Sequence, residues 1–442
     1  MPREMTQSLG TAVANPRFRV ARGPAAAKSA ATMPFVLTLI VIGLFIPEEL
    51  SFYLFGLRLT VIRLIFLLLT PVLLARWTQK VAAGRYRFVL SDLLVVLTGF
   101  WLIYAPANVD GLMLSLNHAG PEVLELCIGY MTTRILLSEP GHALTFVAVL
   151  CRGIAVMALV GLLDPLTNHR FSHDLAAQLG TPMHTIEDWA DAHRLGLLRA
   201  TGPVEHPILY GFTSVIGLLL AVSIPIRGRR LAIFSCSLGA IFAFSSAPVQ
   251  TMIVGFGLLT YNHMLSQFSF RWSALMVAGA VGIIAAFLIS NSPVGFIISH
   301  LTFSPESGYY REWTWHMVGL YVSQSPWFGL GYGEMPQEIN HSIDSLWLVL
   351  AIQSGFPGPV FLGLSLVGAS AIFTGGRNAG LTPAETKLAA TLGIVIFLTS
   401  YIAFTVHLWG SSWILTGLLI GMKAHLSELG YLRPAATRQR LS

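Results

Sequence analysis

The chain has 442 residues, of which 54% are hydrophobic and 11% charged, with 27 Lys and Arg against 21 Asp and Glu. Soluble domains carry about 25% charged residues, so a chain this long and this apolar is not a soluble enzyme, a disordered protein or a disulfide scaffold. Its apolar residues come in blocks and not in alternation, which sets aside an outer-membrane barrel and points to an all-α polytopic membrane protein. The net charge of +6 then reads as basic loops facing the cytoplasm, and not as a nucleic-acid surface.

In chain order, residues 1–29 are polar, with Arg3, Arg17, Arg19, Arg22 and Lys28, and read as a cytosolic tail. The first apolar run ends in Pro47-Glu48-Glu49, which is no leader-cleavage site. Apolar runs follow at about 30–46, 59–75, 88–105, 112–133 and 142–163, giving spans 1–5 within 30–163. A long polar segment, 164–206, comes next. Runs at 207–226, 231–246, 248–264 and 272–290 give spans 6–9 within 207–290. Residues 291–358 hold a second long segment and a short apolar stretch, Ser345–Gln353. Runs at 359–374, 388–404 and 410–424 give spans 10–12, and 425–442 reads as a cytosolic tail. Each run approaches the ~17–25 residues that a bilayer demands. Cys127, Cys151 and Cys236 fall inside apolar runs and read as small buried hydrophobes. There is no internal repeat, low-complexity tract or separate soluble domain.

The positive-inside rule tests the count of about 12 transmembrane helices. With both termini in the cytoplasm, 20 of the 27 basic residues fall inside and two, Arg63 and Arg152, within spans. The outer side receives only Arg58, Arg170, Arg194, Arg199 and Arg311. A full crossing near 345–353 would invert the basic segment at 377–387, so a short re-entrant or half-buried helix is expected near 342–354. The two long segments, 164–206 and 291–341, then lie on the outer face, and long loops in a compact architecture commonly carry function.

The first outer loop ends in Arg199-Ala200-Thr201-Gly202-Pro203-Val204-Glu205-His206-Pro207, directly before a span. Either Arg199 anchors the loop at headgroup level and Glu205-His206 cap the helix, or these groups meet a ligand. The second loop holds Tyr309-Tyr310-Arg311-Glu312-Trp313-Thr314-Trp315-His316, an expected amphipathic helix over about 308–323 with Arg311 and Trp315 on one face. Its aromatics fit an interfacial belt. Pro326-Trp327-Phe328-Gly329-Leu330-Gly331-Tyr332-Gly333 follows, a turn-rich segment that lets backbone approach a ligand closely. The loop closes on Asn340-His341-Ser342-Ile343-Asp344-Ser345, and the spacing puts His341 and Asp344 on one helical face. Ser342 or Asp344 can cap that helix, or a His/Asp pair can accept a proton. Within or near spans, Asp92, Glu122 and Glu125 are open to pairing with Arg63 or Arg152, to a place in a lipid-diphosphate pocket, or to a transport pathway.

No Walker loop, Gly-x-Gly-x-x-Gly, His-Glu-x-x-His or Asp-x-Asp appears in the sequence. Arginines able to grip an anion, with a carboxylate or histidine beside them and no metal motif, suit a substrate whose leaving group is already good. A lipid-linked diphosphate is one.

These motifs, in this order, resemble the O-antigen ligase and O-antigen polymerase superfamily of membrane glycosyltransferases. The similarity rests on Arg199 to Pro207 before a span, Arg311 with Trp315, Pro326 to Gly333, and the short helix ending in Gly355-x-x-Gly358, over about residues 195–360. It implies a glycan on undecaprenyl diphosphate as donor, an acceptor glycan, a periplasmic site in the bacterial inner membrane, and no metal or other cofactor. Arg199 and Arg311 then bind the diphosphate, helped by Arg194. Asp344 or His341 orients or deprotonates the acceptor hydroxyl, with Glu205 and His206 as second choices. Tyr309, Tyr310 and Trp315 are the sugar-stacking candidates. A chain-length regulator is a candidate partner; nucleic acid is not. The ligases have a histidine nine residues and one polar position before Gly-x-x-Gly; here that position is Asp344-Ser345, and His341 lies a turn earlier. This departure favours a polymerase of O-antigen or exopolysaccharide units. A ligase that transfers glycan to lipid A core or protein is the alternative, and a transporter or flippase is the alternative of another class.

Overall fold

The computed structural model describes residues 35–54, 57–137, 141–180, 192–289, 305–333, 336, 343–370 and 380–432. The protein is mostly helical. Four helical stretches among the described residues, Val61–Ala82, Leu90–Asp110, His142–Thr167 and Pro383–Ile402, are long and apolar enough to cross a membrane. A helix also occupies the described part of every other apolar run in the sequence.

The elements in chain order begin with α1 (Phe35–Leu44) and a hairpin of β1 (Ser51–Leu54) and β2 (Leu57–Thr60). Then come α2 (Val61–Ala82), α3 (Leu90–Asp110), α4 (Leu112–Leu136) and α5 (His142–Gly161). The first long loop contains α6 (Leu163–Thr167), α7 (Phe171–Leu179) and a second hairpin, β3 (His193–Arg194) with β4 (Leu197–Leu198). The bundle continues with α8 (Pro207–Ser223), α9 (Arg229–Phe242), α10 (Ser246–Met264) and α11 (Arg271–Ile289). In the second long loop stand α12 (Pro305–Gln324) and α13 (Leu346–Ser354). The last helices are α14 (Pro357–Ser370), α15 (Pro383–Ile402) and α16 (Gly410–Leu432).

The two hairpins are not foreseen by the apolar pattern. Ser51 pairs with Thr60 and Leu54 with Leu57. In the second, Leu195 (φ 56°) and Gly196 (φ 78°) both adopt positive φ, the requirement of a two-residue hairpin turn whose twist matches its strands.

The most extensive helix pair is α4 with α16. Small residues at the contact let the two backbones approach closely. A Cβ on Gly417 would meet the Leu126 carbonyl, and one on Gly421 would collide with the Tyr130 carbonyl. The Gly417-x-x-x-Gly421 face thus lets two backbones touch. Sequence reading ends the helix at 424; α16 instead runs on to Leu432, because His425, Leu426 and Glu428 are buried. Glu428 has a strong reason to stay. Arg134, 0% exposed, donates to Glu428 (2.7 Å), to Asp92 (3.0 Å) and to the Arg87 carbonyl (2.7 Å). The Tyr86 ring lies 4.6 Å from its guanidinium carbon. This network ties α3, α4 and α16 together at the end of the bundle opposite the long loops.

At the long-loop end, α13 is short because both its ends are pinned. Leu346 N–H donates to the Ala403 carbonyl (3.0 Å), Ser345 Oγ to the same carbonyl (3.1 Å), and Trp347 Nε1 to the Ser400 carbonyl (3.2 Å). At the other end Leu330 N–H donates to Ile352 O (2.6 Å) and Phe356 N–H to Pro326 O (2.9 Å). The helix starts at Leu346 with Ser345 as N-cap residue, so Asp344, expected on a helical face, precedes the helix. His341 and Ser342 lie outside the described residues.

The glycines of Pro326–Gly333 serve packing of protein on protein. Gly329 (φ 72°) sits where a Cβ would be 2.5 Å from Ile352 O. Gly331 (φ 74°) sits where a Cβ would collide with the Asp110 carboxylate, which also accepts from Tyr332 N–H. The close backbone approach expected from the sequence is real, but its target is α13 and the end of α3.

Candidate functional site

The segment from Arg199 to Pro207 is held in place by a residue that carries no sequence motif. Asp164, 0% exposed on α6, accepts four hydrogen bonds: Thr201 N–H (2.9 Å), Thr201 Oγ1 (3.0 Å) and Gly202 N–H (2.8 Å) on Oδ2, and Phe171 N–H (3.2 Å) on Oδ1. One carboxylate therefore fixes the turn after Arg199 and the start of α7. Beside it His173 on α7 bridges Glu49 Oε1 (2.8 Å) through Nδ1 and the Val204 carbonyl (3.2 Å) through Nε2. Burial opposes charge on both members of the His173–Glu49 pair. Their hydrogen bond and mutual attraction nonetheless raise the His173 pKa and lower that of Glu49.

Two guanidinium groups then meet the corner between α9 and α10. Arg199, 4% exposed, donates from Nε to the Ala243 carbonyl (3.2 Å), and Arg194 donates from Nη1 to the Phe244 carbonyl (3.1 Å). Phe244 has φ 43°, a left-handed kink that turns these successive carbonyls toward the loop. The β3–β4 hairpin supplies Arg194, and the backbone of Arg199, bonded to Ala192 O (2.9 Å), closes the same hairpin.

His206 is the N-cap of α8: its Nδ1 accepts from Ile208 N–H (3.1 Å), and Pro207 occupies the first helical position. Burial, together with the charges of Arg199, Arg170 and Arg194, pushes its pKa down to about 3. The ring is therefore neutral and a weak base, with Nδ1 committed to the cap. Glu205 faces away from this cluster. It accepts from Ser411 N–H (3.1 Å) and Ser411 Oγ (3.2 Å), and a Cβ on Gly410 would strike both its carboxylate and that of Glu48. Burial first, and the nearby Glu48 charge second, push the Glu205 pKa up to about 8.

From the second loop, α12 brings Arg311 to the same place. Its half-buried guanidinium feels Asp344, which stabilises its charge, and Arg194, which opposes it; burial dominates and lowers its pKa. The Arg311 Nε is buried with no hydrogen-bond partner. The Asp344 charge also acts on Tyr310, whose ring lies 5.9 Å from Trp313. Arg194 is the shared member: its charge reaches His206 on one side and Arg311 on the other. Arg170, Arg194, Arg199, Arg311, His206 and Asp344 thus form one electrostatic neighbourhood, drawn from segments more than a hundred residues apart.

The remaining candidates separate from it. The Trp315 ring stacks on Phe404 (centroids 5.9 Å, 17° between planes) beside buried Val318, Val322 and Ile352, which takes up one face of the ring that was expected to meet sugar. Tyr310 and Trp313 keep 36% and 40% exposure. Tyr309 lies on α12, and His341 is outside the described residues. Deeper in the bundle, Arg63 donates to Glu125 (2.7 Å), the ion pair anticipated as one alternative, while Arg152 is exposed and leans on the Arg227 carbonyl (3.4 Å). Among the described residues no three His, Cys, Asp or Glu side chains converge as metal ligands do.

Sequence reasoning missed Asp164, His173 and Glu49, and took Arg170 only as a loop charge. The one legible signal was that an acidic residue, Asp164, sits at the end of an apolar run just before the long loop. Neither a protein-family model nor a curated protein sequence matches the chain.

Proposed function

We propose that this protein is a metal-independent membrane glycosyltransferase that polymerises O-antigen or exopolysaccharide repeat units carried on undecaprenyl diphosphate. In this reading twelve helices cross the bacterial inner membrane, both termini are cytoplasmic, and the long-loop end faces the periplasm. The observation that carries it is the gathering of Arg194, Arg199 and Arg311, with Arg170, around one neighbourhood that also contains Asp344. Guanidinium groups match phosphate oxygens in geometry and charge, and they stabilise charge that grows on a leaving group.

The chemistry is a displacement at an anomeric carbon. The acceptor hydroxyl oxygen forms the new bond; the bond from that carbon to the diphosphate oxygen breaks, and the diphosphate keeps the electron pair. The hydroxyl proton passes to Asp344 or His341. The Asp344 charge acts on Arg311, so a candidate base and the anion grip share one neighbourhood. Tyr310, on which the Asp344 charge acts, and Trp313, whose ring lies 5.9 Å from it, are exposed and offer ring faces to the acceptor sugar. His206, held neutral, serves as helix cap and not as base. A ligase of the same superfamily would use the same grip with another acceptor.

The test is reconstitution of the full chain with a lipid-linked repeat unit. Arg199→Ala, Arg311→Ala and Asp344→Asn are each expected to abolish polymer while the protein remains present at wild-type level. Normal polymer in both arginine variants would remove the reading. Loss of function from Arg63→Ala and Glu125→Gln alone, with the outer arginines dispensable, would favour transport.

A further inference from the structure

Beside the basic neighbourhood a groove of about 600 Å³ opens sideways between α1, α5 and α7. Its wall is apolar along most of its course, with Phe45, Val149, Val156, Leu175, Leu179 and Pro203 among its lining, and Arg152 the one charged residue in it. Its volume lies within the ~300–1,000 Å³ of well-formed ligand pockets. Along α5 the lining runs from Val149 to Val160, about 16 Å at 1.5 Å per residue, the depth of one leaflet of a ~30 Å hydrocarbon core.

Two features tie this groove to the arginines. Helix α7 presents Phe171, Leu175 and Leu179 to it, an i, i+4, i+8 stripe, while the opposite side of the helix sends His173 to Glu49 and Val204. Arg170, the residue that begins this same helix, is one of the three cations acting on His206. Pro203, in the lining, belongs to the segment that Asp164 fixes beside Arg199. A molecule reaching from the groove to the arginines would therefore be apolar over about a leaflet's depth and anionic at its outer end.

We propose that the α1/α5/α7 groove holds the first isoprene units of the polyprenyl chain of the diphosphate donor, whose headgroup sits on Arg170, Arg194, Arg199 and Arg311. The inference rests on the function proposed above and adds the place and orientation of the lipid tail. The chain enters past Pro203, runs along α7 and α5, and passes Arg152, whose guanidinium donates to the Arg227 carbonyl, to reach Val149.

The experiment uses the full chain in nanodiscs of phospholipid with undecaprenyl diphosphate as the probe. Leu175→Trp and Val156→Trp fill the groove at positions 49% and 60% exposed, so neither disturbs the core. Each is expected to weaken undecaprenyl diphosphate binding roughly tenfold, as loss of part of an apolar contact does. Val277→Trp, 64% exposed on α11, is the control and is expected to leave binding unchanged. Unchanged binding in both groove variants overturns the groove. Unchanged binding in Arg199→Ala and Arg311→Ala overturns the headgroup reading instead, so the two failures are distinct. Independently, a photoreactive benzophenone side chain at position 175 is expected to capture the prenyl chain, and one at 277 to capture phospholipid. Capture of phospholipid alone at 175 also overturns the proposal.

Discussion

Asp164 is the residue on which the placement of Arg199 depends, and removing it has a calculable cost. Its carboxylate takes four hydrogen bonds, three on Oδ2 and one on Oδ1, and the residue is fully buried. Asp164→Ala leaves the N–H groups of Thr201 and Gly202 without their acceptor, at about 1–3 kcal/mol for each buried donor left unmade, and removes one of the two acceptors of Phe171 N–H, which keeps the His169 carbonyl. Partial relaxation and water entry reduce the sum, so a loss of about 3–5 kcal/mol is expected, as for other broken buried networks. Asp164→Asn separates the oxygens. Its single carbonyl oxygen, placed where Oδ2 was, keeps the three bonds to Thr201 and Gly202; its NH2 then faces the Phe171 N–H, donor against donor. That variant is expected to lose only about 1–2 kcal/mol. Thermal unfolding of purified protein in detergent gives the ranking wild type, Asn, Ala, and polymer synthesis by the reconstituted protein is expected to fall in the same order, because the turn that carries Arg199 loosens. Equal stability of the Ala variant and wild type, or an Asn variant as unstable as Ala, would refute the reasoning.

Three other outcomes follow from the same structure. The folded chain holds the Glu205 proton up to about pH 8, whereas the unfolded chain releases it near the ordinary value of 4.5, so stability falls as pH rises through that window. His206 works in the opposite sense: the unfolded chain takes up a proton near 6.5 that the folded chain refuses until about pH 3, so stability falls as pH drops from 6.5 toward 3. Between pH 6.5 and 8 only Glu205 contributes of the two, while His173, whose pKa is raised, acts in the same sense; melting should decline there in wild type and decline less steeply in Glu205→Gln, and an unaltered slope in that variant contradicts the burial of an uncharged carboxyl. Arg134→Met removes the guanidinium that Asp92 and Glu428 share and is expected to cost about 3–5 kcal/mol, and adding Asp92→Asn with Glu428→Gln should recover most of the loss in detergent unfolding. Gly421→Ala drives a Cβ into the Tyr130 carbonyl and is expected to cost about 1–3 kcal/mol of overpacking, whereas alanine at Gly257, with open space around it, should be silent.

What the amino-acid sequence by itself determined is where the long apolar helices run and where the two long segments interrupt them, though not the short helices α6 and α7 inside the first of these. A bilayer demands long uninterrupted apolar runs, and such runs are visible without any knowledge of partners. The helix near 346–354 was legible for the same reason, as an apolar stretch too short to cross. Its true start was not, because Leu346 is held by carbonyls of Ala403 and Val406, far along the chain. Likewise the glycines at 329 and 331 announced close approach, but only the fold decided that they approach α13 and Asp110. The arginines at 194, 199 and 311 could be named because few basic residues fall in the segments that the charge pattern assigns to the outer face. Their common neighbourhood came from tertiary structure alone, through Asp164 fixing one loop and the α9–α10 kink receiving two guanidiniums. Local pattern records which residues prefer lipid or water; convergence depends on hydrogen bonds between distant segments, and those leave no periodic trace in the chain.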